Sequence, residues 1–161
     1  MAPNKYTWIL LGALILTALI ARPANSNVGE IGQIKGSGVL ERQGKIVIEG
    51  EVGAGVMSMD EAVTANGTMR IDFVDETRVD ITEQSRLIID EFVYDPANDI
   101  GSLSLKASLG TVRYASGQIA KKYKQNVKIR TPSATIGVRG TDFIMVVDEM
   151  GGSMITLLPS C

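Results

Sequence analysis

The stretch TPSATIGVRGTDF, Thr131 to Phe143, holds the residue types in this chain that come nearest to a binding or reaction centre. Arg139 stands between Gly137 and Gly140, with Thr131 and Pro132 before it and Thr141 and Phe143 after it. A guanidinium fork grips carboxylate or phosphate, and neighbouring glycines leave backbone N–H groups free to join it. The same residues also suit a tight corner between strands, in which Arg139 pairs with Asp142 or an adjacent strand. The hydroxyls of TPSAT have no adjacent general base, so a nucleophile there would be unactivated. The chain contains no histidine, which removes Ser-His-Asp and Cys-His relays and the histidine zinc sites together. The expectation is a non-enzymatic protein with no cofactor, and a corner at Thr131 to Phe143.

Two other clusters raise questions of binding. Lys121, Lys122 and Lys124 surround Tyr123, a grouping that suits a lipid headgroup, an acidic polysaccharide or an acidic protein patch, or only a solvated loop. Together with Arg139 they are the residues expected to touch a partner. The carboxylates Asp72, Asp75, Asp80, Asp90, Glu91, Asp95 and Asp99 suggest calcium. Yet DPANDIG lacks the spacing of a calcium loop, and the others alternate along strands as a solvated face does.

The bounds of the whole chain narrow the classes. It has 161 residues, enough for one domain. Lys5, the uncharged run from Tyr6 to Ala21, and the small residues Ala24 and Ser26 describe a signal peptide over residues 1–26. The alternative is a short anchor in the inner membrane through residues 6–21, although a spanning helix usually needs about 20 residues. Either sends residues 27–161 to the periplasm or the cell exterior. Loss of Lys5 and Arg22 from 16 basic residues, against 18 acidic ones, leaves a net charge of −4. A nucleic-acid partner would want the opposite sign. The lone Cys161 cannot form an internal disulfide, which suggests an intermolecular bond or a chain truncated at its C-terminus.

Beyond Ser26 the dominant pattern has period two. Met69, Ile71 and Phe73 alternate with Arg70 and Asp72, and Val79 and Ile81 alternate with Arg78 and Asp80. Leu103 and Leu105, then Val127 and Ile129, repeat the pattern. The denser RLIIDEFVY suits a strand covered on both faces. Turn signals at Asn66-Gly67, Asp75-Glu76, Ser108 to Gly110 and elsewhere divide these runs into short strands, and only Gln118 to Asn126 could form a helical turn. The fold class is all-β, as a β-solenoid-like coil of rungs or a two-sheet β-sandwich. Ile71, Phe73, Val79, Ile81, Leu87 and Ile89 fall on one apolar phase and are expected in one core.

The order of these pieces from Gly29 to Val147 resembles a FecR-type domain. The resemblance rests on GSGVLERQGK, on the block from GAGVMSMDEAV to RLIID, and on the signature of Thr131, Pro132, Ala134, Gly137, Val138, Arg139, Gly140, Thr141 and Phe143. It implies a periplasmic, solenoid-like β-module. One turn departs from the family's Asp-Gly-Thr: here it is Asp75-Glu76-Thr77, which predicts central residues at negative φ. Full-length FecR regulators join such a module to a cytoplasmic segment that controls a sigma factor, and receive signals from an outer-membrane receptor. Too few residues precede the apolar run for that segment. The expected function is therefore an exported interaction or sensing module with an envelope protein or glycan partner. The alternatives are a self-associating surface scaffold and the periplasmic part of a sigma-factor relay.

Overall fold

A computed structural model describes residues 27–159; the segment expected to be a signal peptide, and Cys161, lie outside them. The chain runs β1 (Gly29–Arg42), β2 (Lys45–Glu49), β3 (Gly55–Val56), β4 (Asp60–Phe73), β5 (Arg78–Ile81) and β6 (Arg86–Asp95). It continues through β7 (Ile100–Ala115), α1 (Gln118–Lys122), β8 (Val127–Arg130), β9 (Thr135–Gly137), β10 (Phe143–Val147) and β11 (Ser153–Leu157). The protein is all-β, and among the described residues a single short helix stands where Gln118 to Asn126 allowed one.

All the strands belong to one sheet, whose main path is β11-β10-β7-β5-β4-β1-β2. Every pairing is antiparallel except that of β7 with β8. β5 and β6 lie end to end between the same two long strands, so the pairings β4-β5-β7-β6 close a ring of four around the Thr82–Ser85 interruption. Directly opposed pairs such as Arg70↔Asp80 and Asp72↔Arg78 hold opposite charges on the outer face of β4 and β5.

Several strands are longer than the turn signals suggested, because some of those signals mark bends within a strand. Asn66-Gly67 lies inside the 14-residue β4 and Ser108 to Gly110 inside the 16-residue β7. Together with Gly36 of β1 and the Thr82–Ser85 interruption they form a crease across the sheet. Gly36 and Gly110 both have positive φ there, and a Cβ on Gly110 would meet the Ser85 Oγ at 2.0 Å. Hydroxyls take over hydrogen bonding where the ladder breaks. The Ser85 N–H donates to Thr64 Oγ1 at 3.1 Å, Thr64 Oγ1 donates to the Thr82 carbonyl, and the Thr111 N–H donates to Ser85 Oγ at 3.0 Å. Bulges bend strands, and a line of them folds the whole sheet.

The contact of Phe73 with Phe92 measures that fold. Phe73 lies about eight residues from the crease on one side and Phe92 about eight on the other, so a flat sheet would hold them roughly 50 Å apart. Their rings stack with centroids 5.3 Å apart. The two halves of the sheet therefore face each other across one core. Ile71, Phe73, Val79, Ile81, Leu87 and Ile89 are all buried in it, as their phase required. β6 departs from expectation: a bulge between Ile89 and Glu91 shifts its phase, so Leu87, Ile89 and Phe92 face the core while Val93 is exposed. Its apolar density comes from that shift rather than from cover on both faces.

Truncation of Phe73 to alanine is expected to lower stability by about 3–5 kcal/mol, read from urea denaturation. A loss below about 1 kcal/mol would place the ring outside the core.

Candidate functional site

The Thr131–Phe143 segment runs from the end of β8 to the start of β10, and its hydrogen bonds tie it to itself and to neighbouring strands. The Ala134 N–H donates to Thr131 Oγ1 at 3.0 Å and the Thr131 N–H to the Ala134 carbonyl at 2.8 Å, a turn with proline in the second position. Ser153 Oγ lies 2.8 Å from both Thr131 Oγ1 and Ser133 Oγ, so a chain of hydroxyls fastens this turn to the start of β11. Pro132 packs beside Gly151, where an added Cβ would lie 3.1 Å from the proline ring. Further on, Val138 is buried and its N–H donates to the Val127 carbonyl at 3.1 Å. Phe143 stacks on Tyr114 with centroids 5.2 Å apart. The segment is a corner that joins β8, β7 and the β10–β11 hairpin.

Arg139 does not pair with Asp142, contrary to the expected corner contact. Asp142 instead accepts the Ser116 N–H at 2.8 Å, and the Thr141 carbonyl accepts the Ser116 hydroxyl at 3.1 Å. Arg139 is exposed and enters no ion pair among the described residues. Gly140, with φ of 80°, turns the chain there on the side of α1, where an added Cβ would lie 3.7 Å from the Ala120 carbonyl oxygen. That proximity puts the Arg139 turn beside the lysine cluster. Gly137 has no positive φ and lies in open space within β9.

The lysine cluster divides. Lys122 Nζ lies 2.6 Å from Asp99 Oδ1 and 5.1 Å from the centre of the Tyr123 ring, while the Tyr123 hydroxyl donates to Asp99 at 3.2 Å. The Lys122 hydrogen bond holds the Asp99 carboxyl below its ordinary range, and the same pair raises the Lys122 ammonium. Tyr123 also lies over Gly101, where a Cβ would meet its ring at 2.3 Å. Half of the KKYK cluster is thus bound to the β6–β7 turn. Lys121, Lys124, Lys128 and Arg139 remain exposed, with no ion pair among the described residues. Lys128 was not among the expected contacts, and only its pairing opposite Gly137 brings it to this corner.

The carboxylates that suggested calcium are dispersed. Asp72, Asp80, Asp90 and Asp99 each pair with a cation, and Asp95 accepts two hydrogen bonds from Asn98. Among the described residues no three potential ligands converge.

Asp75 is fully buried and makes the contact that sequence reasoning missed. Its Oδ1 accepts the Thr77 N–H at 3.0 Å, and its Oδ2 accepts the Thr77 hydroxyl at 2.8 Å and the Ile119 N–H at 3.0 Å. Its carbonyl accepts the Gln118 N–H at 2.7 Å. It therefore caps α1 from a turn more than forty residues away, where Gly117 provides no side chain to do so. This geometry puts Glu76 at a φ of 68°, so the turn keeps the family's left-handed centre without its glycine, against the expected negative φ. Near it the Tyr114 hydroxyl is buried beside Thr77 and Ser116 with no hydrogen bond of normal geometry among the described residues, and burial pushes its pKa up.

The family model described as FecR protein matches residues 60–159. The chain belongs to the FecR family. The match begins at the first residue of β4, later than the Gly29 start of the resemblance, and runs past Val147 to include β11. No curated protein and no solved structure matches the chain.

The corner predicts an order of effects. Alanine at Gly140 must take a left-handed conformation and is expected to cost about 1 kcal/mol or more. Gly137→Ala and Arg139→Ala, in open surroundings, are each expected to change stability by less than about 0.5 kcal/mol in urea melts. A larger loss at Gly137 than at Gly140 would contradict this corner.

Proposed function

We infer that the protein is an exported, non-enzymatic FecR-family module that recognises an acidic surface on an envelope protein through the corner formed by α1, β8 and the Arg139 turn. The observation that carries the reading is the group of exposed cations Lys121, Lys124, Lys128 and Arg139, without ion pairs among the described residues. They stand on a chain whose expected mature charge is negative. Elsewhere Arg42, Arg70, Arg78, Arg86, Lys122 and Arg130 are each matched by a carboxylate, whereas Lys35, Lys45, Lys106 and Arg113 are also exposed without ion pairs among the described residues but are spread over β1, β2 and β7. Unmatched cations on a braced corner favour encounter with a negative partner and set orientation more than they add affinity. An acidic glycan is the second partner by the same chemistry. Coiling of the creased sheet as a solenoid would present this corner along one ridge, whereas a sandwich would present it at one end. Family membership also supports a role as the periplasmic part of a sigma-factor relay, which an adjacent sigma-factor gene and receptor gene would strengthen.

A photo-crosslinking residue at Lys124 is expected to yield a discrete adduct in the envelope, and the same residue at Glu49 none. Reversal of Lys121 and Arg139 to glutamate should abolish the adduct without lowering the melt. An adduct unaffected by the reversal, or equal capture from Glu49, would contradict the reading.

A further inference from the structure

Val52, Met59, Val74, Val93 and Ile100 are exposed apolar residues elsewhere in the chain, and the C-terminal hairpin carries a further group close together in sequence. Met150, Met154, Ile155 and Leu157 are all exposed there. β11 is the end strand of the sheet path and, among the described residues, pairs only with β10. The Leu158 N–H donates to the Asp142 carbonyl at 2.9 Å and the Asp148 N–H to the Gly152 carbonyl at 3.0 Å. Antiparallel pairs alternate between bonded and non-bonded positions, so Met154 and Thr156 also turn their backbone groups toward β10. Ser153, Ile155 and Leu157 turn theirs outward, to an open edge.

The side chains agree with that edge. Ile155 lies opposite Met145 and Leu157 opposite Phe143, so both stand on the face that buries Phe143 and Met145. Yet Ile155 is 38% exposed and Leu157 68% exposed. Among the described residues, nothing covers the core face where it runs past the last strand. The other end strand, β2, carries Lys45 and Glu49 at its ends, charges of the kind that discourage edge pairing. β11 has none: no charged residue lies between Gly151 and Cys161.

We propose that β11 is a self-association surface that pairs antiparallel with β11 of a second copy about a twofold axis at Ile155. The strand is complementary to itself in this register. Ile155 meets the partner's Ile155 and Ser153 meets the partner's Leu157, and these three residues are the ones whose backbone groups turn outward. No like charges meet. Pro159, which has no N–H, ends the ladder on one side, and the turn through Gly151 and Gly152 ends it on the other. A five-residue ladder covers far less than the roughly 1,600 Å² of a standard interface, so the dimer is weak and forms with rising concentration. This goes beyond recognition of an envelope partner, since it uses a different surface.

Sedimentation velocity of the exported chain, from low micromolar to near-millimolar concentration, is expected to show the average mass rising from monomer toward twice that value. Ile155→Pro removes an outward donor and leaves the β10–β11 ladder its own bonds; it should weaken association by about tenfold or more. A second variant covers the case in which proline disturbs the hairpin. In a Cys161→Ser background, Ile155→Cys should oxidise readily to a covalent dimer, and Thr156→Cys, which faces the other side, much less. A monomer at every concentration would overturn the proposal. So would association that survives Ile155→Pro together with equal crosslinking at 155 and 156, which would assign it to another part of the chain.

Discussion

A carboxylate closed off from water anchors the architecture. Burial of Asp75 is costly unless its lone pairs are filled, and here they accept the Thr77 N–H, the Thr77 hydroxyl and the Ile119 N–H. Bonds to a charged acceptor contribute about 1.5–3 kcal/mol each, and donors left without one would carry a penalty of similar size. The consequence is spatial. The β4–β5 turn and α1 are held together, so the chain leaving β7 must cross that end of the core before it returns as β8. Ile119 and Ala120 are then pressed into the core, and the family signature after β8 has a fixed surface to turn against. Asp60 plays a similar part at the other end of β4: it accepts from Arg42 Nε at 2.6 Å and Nη2 at 2.8 Å, and from the Met57 N–H at 2.9 Å.

The exposed ion pairs do a different job. Arg70–Asp80, Arg78–Asp72 and Arg86–Glu61 bridge neighbouring strands on the outer face, and Arg130–Asp90 reaches from β8 across β7 to β6. Exposed pairs of this kind are worth at most about 1 kcal/mol each, so they do not hold the sheet together. They discriminate between registers. A slip of one residue between β4 and β5 would set Arg70 against Val79 and turn Ile71 outward, so charge and burial oppose the error together.

Much of this was legible in the sequence at the level of single strands. Period two identified the class and the buried phase, and the absence of histidine narrowed the chemistry. What the sequence concealed was nonlocal. Asn66-Gly67 and Gly110 have the same chemistry in a hairpin turn as in a bulge, and only the neighbouring strands make them a crease. Lys122 looked free because Asp99 comes from the far side of β7, and Arg139 looked paired because Asp142 is close in sequence yet bound to Ser116. Glu76 was misread for a related reason. Asp75 and its ligands on Thr77 and Ile119 impose a left-handed turn that local preference alone disfavours. At the candidate site, residue types pointed to cations and a corner, but not to which cations the fold had already used.

Hydrogen exchange on the Asp75→Asn variant tests the central claim most directly, because an amide can replace only part of what the carboxylate accepts. The amides of Gln118, Ile119 and Thr77 are expected to lose protection by about tenfold or more, with the amide of Val138 following them and those of Leu105 and Ile89 far less affected. Unchanged protection at Ile119 and Thr77 in a folded Asp75→Asn protein would show that the buried carboxylate does not hold this end of the molecule together.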